Sequence, residues 1–310
     1  MNCEHRNARE LNRFATNTIY ACGKCGLVFN QNYRQKTDPH ELYEKYYKNE
    51  TSARFNFGIE AVIRLFRLFR AVKILTIHPS AKKILDIGCG RGFMLYFLKK
   101  YFKFERAAGI QISRNAVQFA RNKLGLEIFD RDLLELSFEN GAFDIITMWH
   151  VLEHLTEPEE YLRRMCSMLT AGGKLVIEVP NFDSWTRKFT GEHWLGLDPE
   201  YHVTYFSPGQ FTRLFNKYGL AVKTTHTFSM EYSTFLSTQS IVSRITGSDH
   251  LFFRFLQETR FTPALVWHIP LFLLLAPVCF LVNVLLYFSK RGEVLLVVAE
   301  KPATMPRAQK

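Results

Sequence analysis

The chain is short of acid. Its 310 residues hold 29 aspartates and glutamates against 40 lysines and arginines, a formal net charge of +11 and a pI near 9.4. Such a balance favours anionic partners. No arginine-rich run and no RNA-binding signature accompanies the charge, so nucleic acid and an anionic membrane face stay level on composition alone. Cysteine is also scarce. The six thiols, at positions 3, 22, 25, 89, 166 and 279, make no disulfide framework, and reduced cytosolic thiols are the expectation. The first residues, MNCEHRNARELNRF, contain no apolar stretch, so no signal peptide is expected. Internal repeats and long low-complexity segments are missing as well, which leaves one large α/β domain with appendages.

Aromatics, by contrast, are plentiful. Twenty-eight Phe and 13 Tyr exceed what a core of this size needs, so some apolar surface serves another purpose.

The chain is organised around residues 84–95, ILDIGCGRGFML. Ile84–Ile87 reads as a buried parallel strand, Gly88, Gly90 and Gly92 as a turn, and Phe93–Phe102 as a helix. Glycines let backbone N–H groups approach a ligand, and the helix N-terminus favours negative charge there. A dinucleotide fingerprint would be G-x-G-x-x-G, whereas here the spacing is G-x-G-x-G with Asp86 upstream. A glycine-rich turn without a ligand is the competing reading.

Further strands are predicted at 106–112, 126–129, 143–149, 174–180, 220–228 and 293–300. Helices fill 114–124, 158–169, where Gly172-Gly173 closes the segment, and the stretch from Ser207-Pro208 to Gly219. The D-I-G-C-G-x-G turn, together with F-D-I-I…V-L-E-H-L…G-G-K-L-V-I-E-V-P-N, resembles the class I S-adenosylmethionine (SAM)-dependent methyltransferases. The similarity is to the methyltransferase-23-like branch associated with quinone and polysaccharide biosynthesis, and it covers residues 80–230. It implies an α/β fold, a Rossmann-like seven-stranded doubly wound sheet with SAM across the carboxyl ends of strands one, two and four. It also implies site residues. Gly88, Gly90 and Gly92 would border the methionine part of SAM, Gln111 the ribose and Asp132 the adenine, with Asp86, Cys89, Ile112, Leu133 and Trp149 also among the cofactor-binding residues. Where the family has an acid for the ribose hydroxyls, Gln111 offers an amide oxygen without charge. That departure also occurs in cyclopropane-synthase-like enzymes, whose substrates are lipids.

Four divisions follow: residues 1–50, a core over 51–230 with a substrate-capping insert at 181–206, an apolar insert at 231–292, and a final strand and tail over 293–310. In the first, Cys22 and Cys25 make half a zinc knuckle, with Cys3 and His5 as the weaker half. A structural zinc and reduced thiols on a vestigial turn both fit. Tyr43–Phe57 reads as a lid. Along 60–75, Arg64, Arg67, Arg70 and Lys73 recur at helical spacing among apolar residues. The pattern fits either a membrane-surface helix or a helix packed on the sheet with a solvated basic edge.

The insert at 181–206 is expected to close over substrate through Trp194, Asp198, His202 and Tyr205, although a packed loop explains its aromatics equally. Residues 265–288 carry no formal charge and are long enough to span a bilayer. If strands six and seven share a sheet, however, the segment between them must cross an even number of times or not at all. Pro270 and Pro277 should also break the helix, which predicts a re-entrant or interfacial hairpin bent near Pro277, on the inner face of the membrane. A helical pair buried against the protein or in a dimer is the alternative.

For chemistry, SAM carries its own electrophile, so only an oxygen acceptor would need a general base. His154 and His202 are the first candidates and His150 the third. The implied activity is methyl transfer, most simply O-methylation, to a small or lipid-linked acceptor at the cytoplasmic membrane face. A catalytically inactive SAM-fold binding protein is the alternative. His150-x-x-Glu153-His154 also matches an inverted zinc-protease motif, but it follows a buried strand directly instead of lying on a stable helix. A nucleic-acid methyltransferase has only the positive charge in its favour.

Overall fold

A computed structural model describes residues 7–14, 17–31, 57–258 and 261–303. The chain enters through a small antiparallel sheet: β1 (Ala8–Arg13), β2 (Thr18–Cys22) and β3 (Val28–Asn30). Cys3, His5 and most of the expected lid lie outside the described residues. The long helix α1 (Phe57–Ile77) then leads into the main sheet.

There β4 (Lys83–Ile87), α2 (Phe93–Tyr101), β5 (Arg106–Ile110), α3 (Arg114–Leu124) and β6 (Glu127–Phe129) alternate. They are followed by β7 (Phe143–Trp149), α4 (Pro158–Met168) and β8 (Leu169–Pro180). The capping insert contributes α5 (Trp185–Thr190) and β9 (Thr204–Tyr205), after which come α6 (Pro208–Lys217) and β10 (Ala221–His226). The apolar insert folds as α7 (Ser233–Thr246), α8 (Leu251–Glu258) and α9 (Leu265–Phe288), and β11 (Val294–Glu300) closes the sheet.

The seven strands lie in the order β10-β11-β8-β7-β4-β5-β6. All neighbours among β8, β7, β4, β5 and β6 run parallel, and β11 is antiparallel to both β8 and β10. The order reverses between β4 and β7, so the crevice of the doubly wound sheet opens at their carboxyl ends. Alternate residues feed two cores, as the two-residue period of a strand requires. Leu85, Ile146 and Ile177 face α4 and α6, whereas Ile84, Ile145 and Val176 face α1, α2 and α3. Three strands depart from the sequence reading by two residues or more at one end, β10 stopping at His226. β5 stops at Ile110 because the Gln111 side chain turns back onto its own backbone, and β8 begins at Leu169, five residues early, by pairing with Phe143. The four divisions are not all separate, since β3 pairs with β9 of the cap.

Helix α1 turns an apolar face outward and two of its arginines inward, against the reading of a packed helix with a solvated basic edge. Ala71 and Ile74 are wholly buried, and Val62, Leu65, Phe69 and Val72 point outward, each 42–53% exposed. Arg67 and Arg70 turn inward, while Arg64 stays exposed. Arg67 lies 2.5 Å and Arg70 2.8 Å from the carboxylate of Glu231, and the Arg70 guanidinium stacks over Trp149 at 4.5 Å. Buried acids provide Arg67 and Arg70 with the partner that solvent would otherwise be. Breaking this group by Glu231→Ala leaves two buried guanidiniums facing one another. The expected cost is about 3–5 kcal/mol, read as a lower denaturant midpoint.

Candidate active site: the glycine turn and a buried histidine cluster

The turn after β4 has Gly88, Gly90 and Gly92 all at positive φ (75°, 56° and 77°). Two of them are there for packing. A Cβ on Gly88 would stand 2.3 Å from Val151 and one on Gly92 2.6 Å from Leu126, whereas a Cβ on Gly90 would meet nothing within 4 Å. Gly90 therefore borders open space at the switch point. The N–H groups of Gly88 and Cys89 donate to Ile110 O, which fixes the turn on β5. Behind it, buried Asp86 accepts from Thr147 Oγ1 at 2.6 Å, and burial pushes its carboxyl up to about 6. In front, Arg91 lies 2.5 Å from Glu60 of α1 and stacks on Phe119 at 4.0 Å.

Gln111, Asp132 and Trp149 stand at or just past the carboxyl ends of β5, β6 and β7. The amide oxygen of Gln111 accepts from Ile112 N at 2.8 Å and Ser113 N at 3.1 Å. Those two donors occupy the oxygen and fix the amide's orientation, so Gln111 offers its Nε2 donor and not the predicted acceptor. Asp132 caps a 3₁₀ turn, accepting from Leu134 N and from the Tyr161 hydroxyl, while Leu133 is core. Trp149 ends β7 with its Nε1 buried and without a hydrogen-bond partner among the described residues. An open cradle at Gly90 with an unspent donor at Trp149 fits an adenosine-bearing ligand in this crevice.

Past Trp149 the chain bends sharply. His150 takes φ 54°, a left-handed conformation that histidine rarely adopts and that marks a constrained site. Its ring is clamped: Nδ1 lies 3.3 Å from Glu153 and Nε2 3.2 Å from Glu178 of β8, with Tyr232 packed on its face at 4.2 Å. Burial alone would lower its pKa, but the two carboxylates prevail and hold it at about 9. His150 is thus an imidazolium at neutral pH, which removes it as a proton acceptor. Three buried cations (Arg67, Arg70 and His150) then face three buried acids (Glu153, Glu178 and Glu231), so the group is neutral overall. The stability His150 contributes is complete below its unfolded value of 6.5 and is lost as pH rises through about 9. The thermal midpoint should accordingly drop across that window in a pH series, and a His150→Gln variant should show no such drop.

His154 and His202 form the opposite case. The 3₁₀ turn Leu152–His154 lies under the cap, which is bonded to it by Val203 N to Glu153 O and by Thr204 Oγ1 to Leu152 O. The two imidazole rings stand 4.8 Å apart. His154 Nδ1 faces Tyr201 O at 2.9 Å and His202 Nδ1 faces Gly196 O at 3.0 Å. A carbonyl only accepts, so each Nδ1 carries the proton and each Nε2 the lone pair. Burial holds both below the ordinary histidine value, His154 further opposed by His202, and both are neutral at pH 7. A Glu153 oxygen and one nitrogen from each of His154 and His202 lie within 4.8 Å of one another, near enough for all three to share a cation.

Of the cap residues, His202 joins this cluster, and Asp198 interacts with His154 while burial pushes its carboxyl up to about 6. Trp194 and Tyr205 do not line a substrate space. Trp194 is fully buried, donating Nε1 to Glu293 at 3.1 Å, and the Tyr205 hydroxyl donates to Leu197 O. They are the cap's own core, because a loop this long needs one. Cys22 and Cys25 share the turn after β2 as their spacing predicted, Cys22 buried and Cys25 partly so. Sequence reading missed Glu178, Glu231 and Arg70 as site components. A glutamate inside the buried run KLVIEVP was the available signal.

Residues 60–225 match the methyltransferase-domain family, more than half of the chain. The chain belongs to that family. Among relatives, the methyltransferase domain is 30% identical over 133 residues to the mitochondrial ubiquinone biosynthesis O-methyltransferase of Candida albicans, covering 40% of this chain and 41% of that one. It is 35% identical over 108 residues to ajmaline N-methyltransferase of Rauvolfia serpentina, 32% and 36% of the two chains. To the ubiquinone biosynthesis O-methyltransferase of Coxiella burnetii it is 28% identical over 107 residues, 33% and 45%. The matches thus span less than half the length of these relatives. Among solved structures, a SAM-dependent methyltransferase from Archaeoglobus fulgidus superimposes with a TM-score of 0.50 at 19% identity, covering 85% of this chain and all of that one. The seven-stranded sheet is that of the class I SAM-dependent methyltransferases, as the sequence resemblance implied.

Proposed function

We propose that this protein is a SAM-dependent methyltransferase acting on an oxygen of a small or lipid-linked acceptor at the cytoplasmic face of a membrane. The observation that carries the reading is the pair of neutral histidines held under the cap beside the switch-point crevice. Bound SAM supplies an electrophilic sulfonium methyl, so the chain's task is alignment and proton removal. The Gly90 edge, Gln111 Nε2 and Trp149 Nε1 hold the cofactor side. On the acceptor side, His154 Nε2 takes the hydroxyl proton, and His202 and Glu153 stabilise the resulting charge. The relatives named as ubiquinone biosynthesis O-methyltransferases favour an oxygen acceptor.

The acceptor class is tested by incubating the protein with methyl-labelled SAM and membrane lipid extract. Label in a lipid-soluble product supports it, and label confined to nucleic acid or absent from every fraction overturns it. The pH profile of turnover should rise on a limb below 6.5, where His154 loses its proton, and fall near 9, where His150 loses its own. A profile still rising above pH 10 would point to the acceptor's own ionisation instead.

In the first division, we propose that Cys22 and Cys25 share one structural zinc with Cys3 and His5. Metal analysis should return one equivalent per chain. A folded, metal-free sample would end the idea.

A further inference from the structure

Helix α9 is continuous over 24 residues and unbroken at Pro270 and Pro277, against the bend predicted from sequence. Both prolines lie on its exposed side, seven residues apart, so the carbonyls they deprive of a donor lie away from the packed face. A hairpin does exist, but its arms are α7 and α9. Asn283 of α9 donates to Ser237 of α7 at 2.7 Å, and His268 near the other end bonds Thr246, the last residue of α7, and Ser248 just past it, which makes the pair antiparallel. The seam is polar, with Ser233, Ser237 and Thr238 of α7 buried beside Asn283 and Cys279 of α9. On its far side α7 packs against the cap, where Ser240 Oγ accepts from Leu195 N.

The outward face of α9 is the reverse. Trp267, Leu274, Leu281, Leu285 and Phe288 are 63–80% exposed, and no formal charge occurs along the whole helix. Exposed basic residues flank both ends, Arg244 and the Asp249-paired Arg254 at one and Lys290 and Arg291 at the other. Trp267 and Phe288 stand about 32 Å apart along the axis at roughly 1.5 Å per residue.

We propose that this face is a lipid-docking surface on which the enzyme lies flat against an anionic bilayer, without crossing it. Three observations exclude crossing. β10 and β11 pair in one sheet, α7 is enclosed by the cap and α9, and α9 is held along one side to α7. The freed carbonyls agree, because in hydrocarbon each would stay unsatisfied, whereas headgroup water reaches them at the interface. Cations at both ends with an uncharged middle match anionic headgroups around an acyl surface better than they match a second copy of a basic protein. The proposal deepens the membrane-face reading given above and rests on it.

The test is co-sedimentation of the full chain with phosphatidylcholine vesicles, with and without phosphatidylglycerol, comparing wild type with Leu274→Glu/Leu281→Glu and with Trp267→Lys. Wild type should pellet, more strongly with the anionic lipid. The double variant should partition roughly 100-fold less while keeping its SAM affinity and its melting curve. Equal pelleting by the variants, or none by wild type, overturns the proposal. A variant that instead falls from dimer to monomer assigns the face to a second copy, and that too overturns it. SAM titration of the same samples separates this from failure of the methyltransferase reading. Brominated lipids should quench tryptophan at 267, and in Leu274→Trp and Leu281→Trp, to one common depth. A crossing helix would bury 274 and 281 more deeply than 267.

Discussion

Gly90→Arg abolishes SAM binding and leaves the protein folded. The three glycines of the turn are not equivalent, and the contrast makes this a sharp test. At Gly88 and Gly92 any side chain collides with Val151 or Leu126, so those substitutions damage the fold first. At Gly90 the space is open, so a side chain costs only the left-handed backbone, about 1 kcal/mol. A guanidinium there would fill the crevice and present positive charge to a cationic sulfonium. Calorimetry should show affinity lost by more than about 100-fold, with a melting curve close to that of wild type. Retained affinity would move the cofactor off this turn. A collapsed melting curve in Gly90→Arg, like that expected of Gly88→Ala, would show that Gly90 is packed and not a cradle.

His154→Gln reduces kcat by about 10²–10⁴, the range for a missing general base, with SAM affinity unchanged. Three features converge on this residue. Its Nδ1 proton is committed to Tyr201 O, which leaves Nε2 as the basic nitrogen. Burial beside His202 keeps it neutral at working pH. Its turn lies directly beyond the strand that forms one wall of the crevice. His202→Gln should lower kcat less and shift the acid limb of the pH profile, since it acts through its neighbour's charge. Full turnover by His154→Gln would return the histidine to a loop-orienting role. A loss matched equally by His150→Gln would indicate collapse of the whole ionic group.

Much of the fold was legible because its signals are local and repeated. An apolar run, three glycines and an amphipathic helix specify a strand, turn and helix whatever lies around them, and β11 returning antiparallel followed from the family pattern. What escaped was decided at a distance. The direction of Arg67 and Arg70 on α1 depends on Glu231 and Glu178, which lie over a hundred residues away, and periodicity alone cannot tell a face turned to water from one turned to buried acid. The two prolines of α9 read as breaks because sequence does not show which side of a helix is packed. Trp194 and Tyr205 looked like substrate contacts because an aromatic loop core and an aromatic pocket share a composition. In the candidate site, the histidines were visible from the chain. The acids that make one of them a cation were not, apart from Glu153, and neither was the burial that leaves the other two neutral.

The account stands on the crevice at the carboxyl end of β4 holding SAM. The most direct measurement is calorimetric titration of SAM and S-adenosylhomocysteine into the purified full chain, with circular dichroism confirming a folded sample. The prediction is saturable binding of one molecule per chain at micromolar affinity, with the product bound at least as well as SAM. A folded protein that binds neither would contradict the account and leave a methyltransferase fold that has lost its cofactor at Gln111.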